Sequence, residues 1–425
     1  MFSFYDTDEQ ILGCIFPDLE NVLPYYIDPM PDMPHQSPMH ENHTEREAFF
    51  LPYGSPECPS QVVETFGDLD MEYAAIRKGC VIFDLPHIGT IEVTGSDRGD
   101  FLNNMLTDKV DDLAAGMSKR AFWLNRKGRI DADIRVAQRE NDMLFSLDRH
   151  LCEATAESLE SFVFAEDAEL VDASDRLYRL GVHGPTAGKL IAIAASEDAD
   201  SKVESLAEYC NTSVAIDGVD VVVDREDLTG EIGLELCMAR DDAAKVYKRL
   251  IEVAEQHSEL KARTTGWLAM NAARIEAGHP MFNVDFTETN LPVESGIIED
   301  RVSFTKGCYL GQEVVARMHA RKACNKKIVA LKVEGERITA EHQEIHQPTG
   351  GSQIFEPGKE GETPVGNVTS STISPMLGAV PICFAMVKAS CMQPGTKLIV
   401  SAEGKLVPCT VQDSLVFWSK PDAHG

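Results

Sequence analysis

Residues Ser303–Lys322 read S-F-T-K-G-C-Y-L-G-Q-E-V-V-A-R-M-H-A-R-K. Cys308 stands between Gly307 and Gly311, with Lys306 ahead of it and a helical pattern behind it. A lysine and a helix N-terminus both favour a thiolate, so this is the setting of a reactive or ligating sulfur. From Gln312 onward Val314, Val315 and Met318 share one side of a helix, and Glu313 is placed to meet Arg317 one turn on. The glycines permit a sharp turn or a close approach to a ligand. The competing reading is a tight loop whose cysteine fills a small apolar gap, because unpaired cysteine is among the most buried residue types.

The whole string separates these readings. K-G-C-Y-x-G-Q-E resembles the signature of the YgfZ-type folate-binding proteins, relatives of the glycine-cleavage aminomethyltransferase (T-protein). The resemblance implies a tetrahydrofolate-binding protein that supports assembly or repair of iron-sulfur enzymes, with an indirect bearing on tRNA modification. It makes the Cys308 counterpart the characteristic residue. It also implies an α+β, aminomethyltransferase-like folate domain followed by a small C-terminal β-barrel.

A chain of 425 residues holds two or three domains with ample core. The net charge of −30 argues against broad binding to nucleic acid or an anionic membrane, so direct contact with tRNA needs a local basic patch. The 11 cysteines are odd in number and never form C-x-x-C, which suits neither a disulfide framework nor a zinc site. A reducing cytoplasm fits them. No apolar run reaches the roughly 18 residues of a membrane helix. Asp6, Asp8 and Glu9 precede the first basic residue, Arg46, so no targeting signal is read at the start.

Residues 1–65 form a proline-rich, acidic extension, with Pro24, Pro29, Pro31, Pro34 and Pro38 among its prolines, and are expected to be loop-like. His35, His40 and His43 fall around Glu41, but a solvated arm explains them better than a metal site, and no metal is expected. The folate domain is placed at 66–325. Within it a helix runs from Asp68 to Lys78, Cys80–Val93 reads as paired strands, and Ser96 caps a second helix. V-T-G-S-D-R-G-D-F-L-N-N-M-L-T resembles the opening of the family's folate-binding domain.

Next comes a hairpin, Arg120–Asn125 turning through Arg126, Lys127 and Gly128 into Arg129–Val136. Strand alternation puts Asp131 and Asp133 on one face and Ala132 on the other. If the two carboxylates are buried together, repulsion raises one pKa and supplies an acid or base; facing water, they are ordinary solvated strand residues. G-R-I-D-A-D-I-R-V is similar to the aminomethyltransferases' G-G-I-x-D-D segment. That likeness sets Asp133 beside the folate's reactive nitrogens and leaves Ala132 in place of the family's first aspartate.

T-G-E-I-G-L-E-L-C, Thr229–Cys237, reads as a strand with Glu231 and Glu235 on one face. It resembles the family's T-G-E-D-G-x-E, whose last glutamate binds the pterin, and this role carries to Glu235. One carboxylate can accept both the amino group and the neighbouring ring N–H of a pterin. The opposing reading is a solvent-facing strand acid. A-R-I-E-A-G-H-P-M-F and L-P-V-E-S-G resemble the family's R-L-E-A-G and T-P-V-E-A-G elements, in which Arg274 and Glu276 hold a helix to its neighbours. Met270 stands where the aminomethyltransferases carry a folate-contacting arginine.

Arg317, Arg321, Lys322, Lys326, Lys327 and Lys332 make a basic cluster in an acidic chain. It reads as a solvated helix end or as a seat for the polyglutamyl tail of a folate, with Arg317 as a folate contact. From Lys326 the chain turns to short strands divided by Gly and Pro, and residues 326–425 are read as a β-barrel domain. G-N-V-T-S-S-x-x-S-P-M-L-G resembles the family's barrel segment.

Three functions follow in order. The first is a tetrahydrofolate-binding protein serving iron-sulfur client proteins, with Glu235, Asp131, Asp133 and Arg317 around the folate and Cys308 and Asp133 as the chemical residues. The second is an aminomethyltransferase or demethylase, against which Ala132 and Met270 speak. The third is a binding module without chemistry. The first turns on Asp133, Glu235 and Cys308 lining one cavity. Oligomeric state is left open by the sequence.

Overall fold

A computed structural model describes residues 35–56, 58–195, 200–321, 324–337 and 343–420. Cys14, the prolines from 24 to 34, and Lys322 lie outside the described residues. Strands β1 (Phe49–Ser55) and β2 (Cys58–Thr65) form an antiparallel hairpin. The main strands then follow as β3 (Cys80–Asp84), β4 (Ile88–Thr94), β5 (Ser118–Leu124), β6 (Ile130–Gln138), β7 (Met143–Asp148) and β8 (Glu169–Asp172). After them come β9 (Leu177–His183), β10 (Asn211–Ile216), β11 (Val219–Arg225), β12 (Gly233–Ala239) and β13 (Ala262–Thr265).

They make two sheets, ordered β5-β6-β7-β4-β8 and β10-β11-β12-β9-β3-β13. All pairings are antiparallel except β13 with β3. Period-two alternation decides which face each sheet buries. On β6, Ala132, Ile134 and Val136 enter a core with Phe101, Leu102 and Leu159. On β11 and β12, Val221, Val223, Leu234 and Leu236 enter another with Leu190, Val246 and Leu250. Each Val, Leu, Ile or Phe among them contributes about 1.5–3 kcal/mol on burial. The remaining faces of β6 and β11 meet through polar side chains, and there the candidate site lies.

Six strands from Lys326–Val333 to Lys405–Val411 close into a barrel, completing the α+β fold with a C-terminal barrel. The junction is built on the R-I-E-A-G string. Arg274 donates to Asp285 at 2.7 Å, and Asp285 accepts from Thr369 and Ser370 of the barrel at 2.7 and 2.6 Å. Glu276, fully buried, accepts from Tyr73, from Arg77 at 2.6 Å and from the barrel residue Ser374. Gly278 closes the helix Trp267–Ala277 at φ 86°, where a Cβ would sit 2.8 Å from the main-chain nitrogen of Val416.

Over the described residues 35–56 and 58–65 the expectation of a loop-like extension is corrected, and residues 1–34 of that extension lie outside the described residues. A helix at His40–Glu45 and the β1–β2 hairpin are ordered, and Leu51, Tyr53 and Val62 join a core with Ile76 and Trp267. Pro52 and Pro59 hid the strand pattern, yet an isolated two-stranded hairpin tolerates proline because neither strand needs partners on both sides. His43 turns into the core, its Nε2 2.9 Å from Asp84 Oδ2, while Glu41 stays exposed. Among the described residues no helix is long and apolar enough to cross a membrane.

Candidate functional site

Between the two sheets lies a layer of paired charges. Arg135 on β6 forks onto Asp224 of β11, Nε to Oδ2 at 2.5 Å and Nη2 to Oδ1 at 2.7 Å. Arg120 on β5 donates to both oxygens of Glu226, with Nη2 to Oε2 at 2.7 Å. Against the pull of burial, the Arg120 and Arg135 guanidiniums hold Glu226 well below the usual carboxylate range. Asp133 accepts from Arg301 Nε at 3.0 Å and has Arg120 Nη1 at 3.6 Å. Glu235 stands opposite Asp224 in the β11–β12 register, accepting from Arg179 and, at 3.3 Å, from Ser146 Oγ. Buried charges survive only when paired in this way.

The layer is tightly filled. Around Glu235 the hollow, lined also by Arg135, Ser146, Arg179 and Asp224, is about 10 Å³. That is room for about one water molecule. A larger cavity of about 180 Å³ opens at the start of β6, lined among others by Tyr53, Asp131, His150, Phe282, Asn283 and Glu288. Its floor is fixed because Tyr53 OH and Asn283 Nδ2 both donate to buried Asp148, at 2.9 and 2.6 Å. Burial raises the Asp131 carboxyl, offset in part by the hydrogen bond it accepts from Asn125 at 2.8 Å. Asp131 and Asp133 therefore share a strand face but have different surroundings, one a cavity and the other guanidiniums.

Cys308 lies elsewhere. It is exposed in the bend before the helix Gln312–Ala320, and it lines neither hollow. The expectation of one cavity shared by Asp133, Glu235 and Cys308 is corrected: the two carboxylates join the inter-sheet layer, and the thiol stands on the surface. Lys306 is engaged with other partners. Its ammonium points away, to the main-chain carbonyls of Asn103, of Leu106 at 2.7 Å and of Asp108 at 3.0 Å. Burial lowers its pKa to about 8, so at neutral pH the group still carries its charge.

Gly311 starts the helix at φ 82°, and a Cβ there would meet Asn125 O at 3.0 Å and Gly128 Cα at 3.2 Å. This close approach brings the helix onto the β5–β6 turn. Arg317 and Arg321 on one side and Arg126, Lys127 and Arg129 on the other are all exposed, without an ion-pair partner among the described residues. Arg317 thus belongs to a basic surface outside the inter-sheet layer.

Sequence reasoning missed Arg120, Arg179, Asp224, Glu226 and Arg301. One signal was available on β6, where Asp133 and Arg135 alternate with buried Ala132 and Ile134. The partners on β9, β11 and the 301 turn carry no local mark of their role. Ala132 packs in the core on the far face of β6, and Met270 is buried with Trp267 and Tyr73. The missing carboxylate at Ala132 therefore takes nothing from the inter-sheet layer.

The fold is that of a solved aminomethyltransferase. The glycine cleavage system aminomethyltransferase T of Bartonella henselae superposes with a TM-score of 0.75, at 21% identity, covering 90% of this chain and 98% of that one. The aminomethyltransferase of Bacillus cytotoxicus is 27% identical over 343 residues, 80% of this chain and 87% of its own. That of Bacillus subtilis is 26% identical over 378 residues, 88% of this chain and 97% of its own. The family model described as the GCVT N-terminal domain matches residues 39–306, and that of the glycine cleavage T-protein C-terminal barrel domain matches residues 326–417. With its two-sheet domain, its terminal barrel and both family models in register, the chain belongs to the glycine cleavage T-protein family of aminomethyltransferase-like proteins.

Proposed function

We propose that the chain binds tetrahydrofolate in the inter-sheet layer and serves as a YgfZ-type protein in support of iron-sulfur enzymes. In this reading the packed layer, whose hollow at Glu235 is about 10 Å³, opens to admit a pterin. The pterin supplies, from its amino group and ring N–H, the two donations now made to Glu235 by Arg179 and Ser146, while Arg179 keeps Thr90 Oγ1 and the Phe145 carbonyl as acceptors. Asp133, held by Arg301, sits beside the reactive nitrogens, and Asp131 faces the cavity at the start of β6. The polyglutamyl tail lies over the basic surface that includes Arg317. Nine of the described cysteines stand as free thiols, which supports a reducing cytoplasmic setting.

The iron-sulfur part cannot rest on a cavity shared by Asp133, Glu235 and Cys308, which do not line one hollow; what supports it is the K-G-C-Y-L-G-Q-E string, with Cys308 exposed and apart from the layer that would hold the folate. A thiol placed there meets a client protein rather than the pterin. The test is complementation of iron-sulfur enzyme activity in cells lacking the protein. Cys308→Ala should fail to restore it while folate binding by the purified variant is unchanged. Full restoration by Cys308→Ala would remove the thiol from the account.

A second reading, one-carbon transfer, is favoured by the likeness to the Bacillus aminomethyltransferases and by the orientation of Ala132, which leaves the polar face of β6 intact. If the chain is an enzyme, its family makes it a folate-dependent, aminomethyltransferase-like transferase. Asp133 would then move protons at the folate nitrogens, a contribution of roughly 100- to 10,000-fold. Release of methylenetetrahydrofolate from an aminomethyl donor, abolished by Asp133→Asn, would put this reading first.

A further inference from the structure

We propose that Lys306 is the positioning residue of the Cys308 bend: its ammonium ties the bend to the turn at residues 103–108 and so fixes where the thiol is presented. The argument is one of donor count. An ammonium has three N–H groups and no acceptor. Here all three are taken, by the carbonyls of Asn103, Leu106 and Asp108. The Asn103 carbonyl belongs to the last turn of the helix Arg98–Met105 and has no partner within that helix, and the partial negative charge of a helix C-terminus favours a cation there.

The rest of the bend is fastened to the same turn. Thr107 Oγ1 donates to the Arg301 carbonyl, Ser303 N donates to the Thr107 carbonyl at 3.0 Å, and Ser303 Oγ accepts from Lys306 N at 3.3 Å. Tyr309 buries its ring 5.3 Å from the ammonium. The charged groups facing Lys306 are Asp108, Asp111 and Lys119, so the ammonium is not simply one half of an ion pair. Between Lys306 and Tyr309 stand only Gly307 and Cys308, both exposed, which leaves the sulfur on a two-residue span held at both ends.

This inference rests on the reading of Cys308 as the working thiol, but it is tested without any activity, so the two can fail separately. Amide hydrogen exchange over residues 303–311 is measured in the full chain for the native protein, Lys306→Gln with two donors, and Lys306→Met with none. Alkylation of Cys308 is followed by mass spectrometry in the same samples. Protection of the bend should fall in the order Lys, Gln, Met, by at least about tenfold from first to last. Cys308 alkylation should change alongside it, while protection of β6 and β12 stays native. Equal protection of the bend in all three proteins, or a loss spread evenly over the chain in both variants, overturns the proposal.

Discussion

Arg120 and Arg135 stand directly opposite each other on β5 and β6, and both guanidiniums reach Glu226. Like charges paired across a sheet destabilise it unless something lies between them. Glu226 is that something, and it comes from one residue past the end of β11 on the other sheet. The two sheets are thus held together by an ionic contact. Glu226→Ala should cost about 3–5 kcal/mol, the usual result of stripping one partner from a buried pair. The urea unfolding midpoint reports it, and a loss under 1 kcal/mol would show the arginines finding other partners.

The junction with the barrel makes a second prediction. Glu276 is the one acceptor shared by Tyr73, Arg77 and Ser374, so it ties a helix of the first domain to a barrel strand. Glu276→Leu should separate thermal unfolding into two transitions by leaving Arg77 buried without its counter-charge. A single transition at the native temperature would contradict this.

Three histidines, His87, His183 and His279, are lowered to about 4 by burial, against an ordinary value near 6.5, and contribute to the response to acid. The Nδ1 of His87 and that of His183 have no hydrogen-bond partner. All three histidines are neutral in the folded protein, while the unfolded chain takes up their protons below about pH 6.5. The folded state therefore binds fewer protons, and stability falls as pH drops from about 6.5 towards 4. Replacing His183 with Gln should flatten this part of the curve of unfolding free energy against pH. An unchanged slope between pH 6.5 and 4 would show that His183 is protonated in the fold.

The basic surface yields a prediction about folate tails. Arg317→Ala and Arg321→Ala should each weaken binding of a pentaglutamyl tetrahydrofolate by about twofold to fivefold, as exposed charge contacts do. Binding of the monoglutamate should not change. The difference between the two ligands should shrink as salt is raised, because these cations are exposed. Equal affinity for both ligands in the native protein would remove Arg317 from the binding site.

Much of this architecture was legible because strand alternation is local. Asp131, Ala132 and Asp133 fall on the expected faces of β6, and the R-I-E-A-G string does hold its helix to its neighbours. Tertiary choices were not legible. Lys306 and Cys308 are near neighbours in sequence, yet the ammonium satisfies carbonyls about 200 residues earlier in the chain. The β1–β2 hairpin was hidden by its prolines, and His43 by the polar company of His40 and Glu41. Glu235 reads correctly as a strand acid, but nothing near it announces Arg179, the group a pterin would have to displace.

That displacement is the most direct point of test. Purified native protein and Glu235→Ala are titrated with tetrahydrofolate under anaerobic conditions, with calorimetry as the readout. One saturable site in the native protein, weakened at least about a hundredfold in Glu235→Ala, is the expected result. Absence of saturable binding, or equal binding by both proteins, would contradict the placement of a folate between the two sheets.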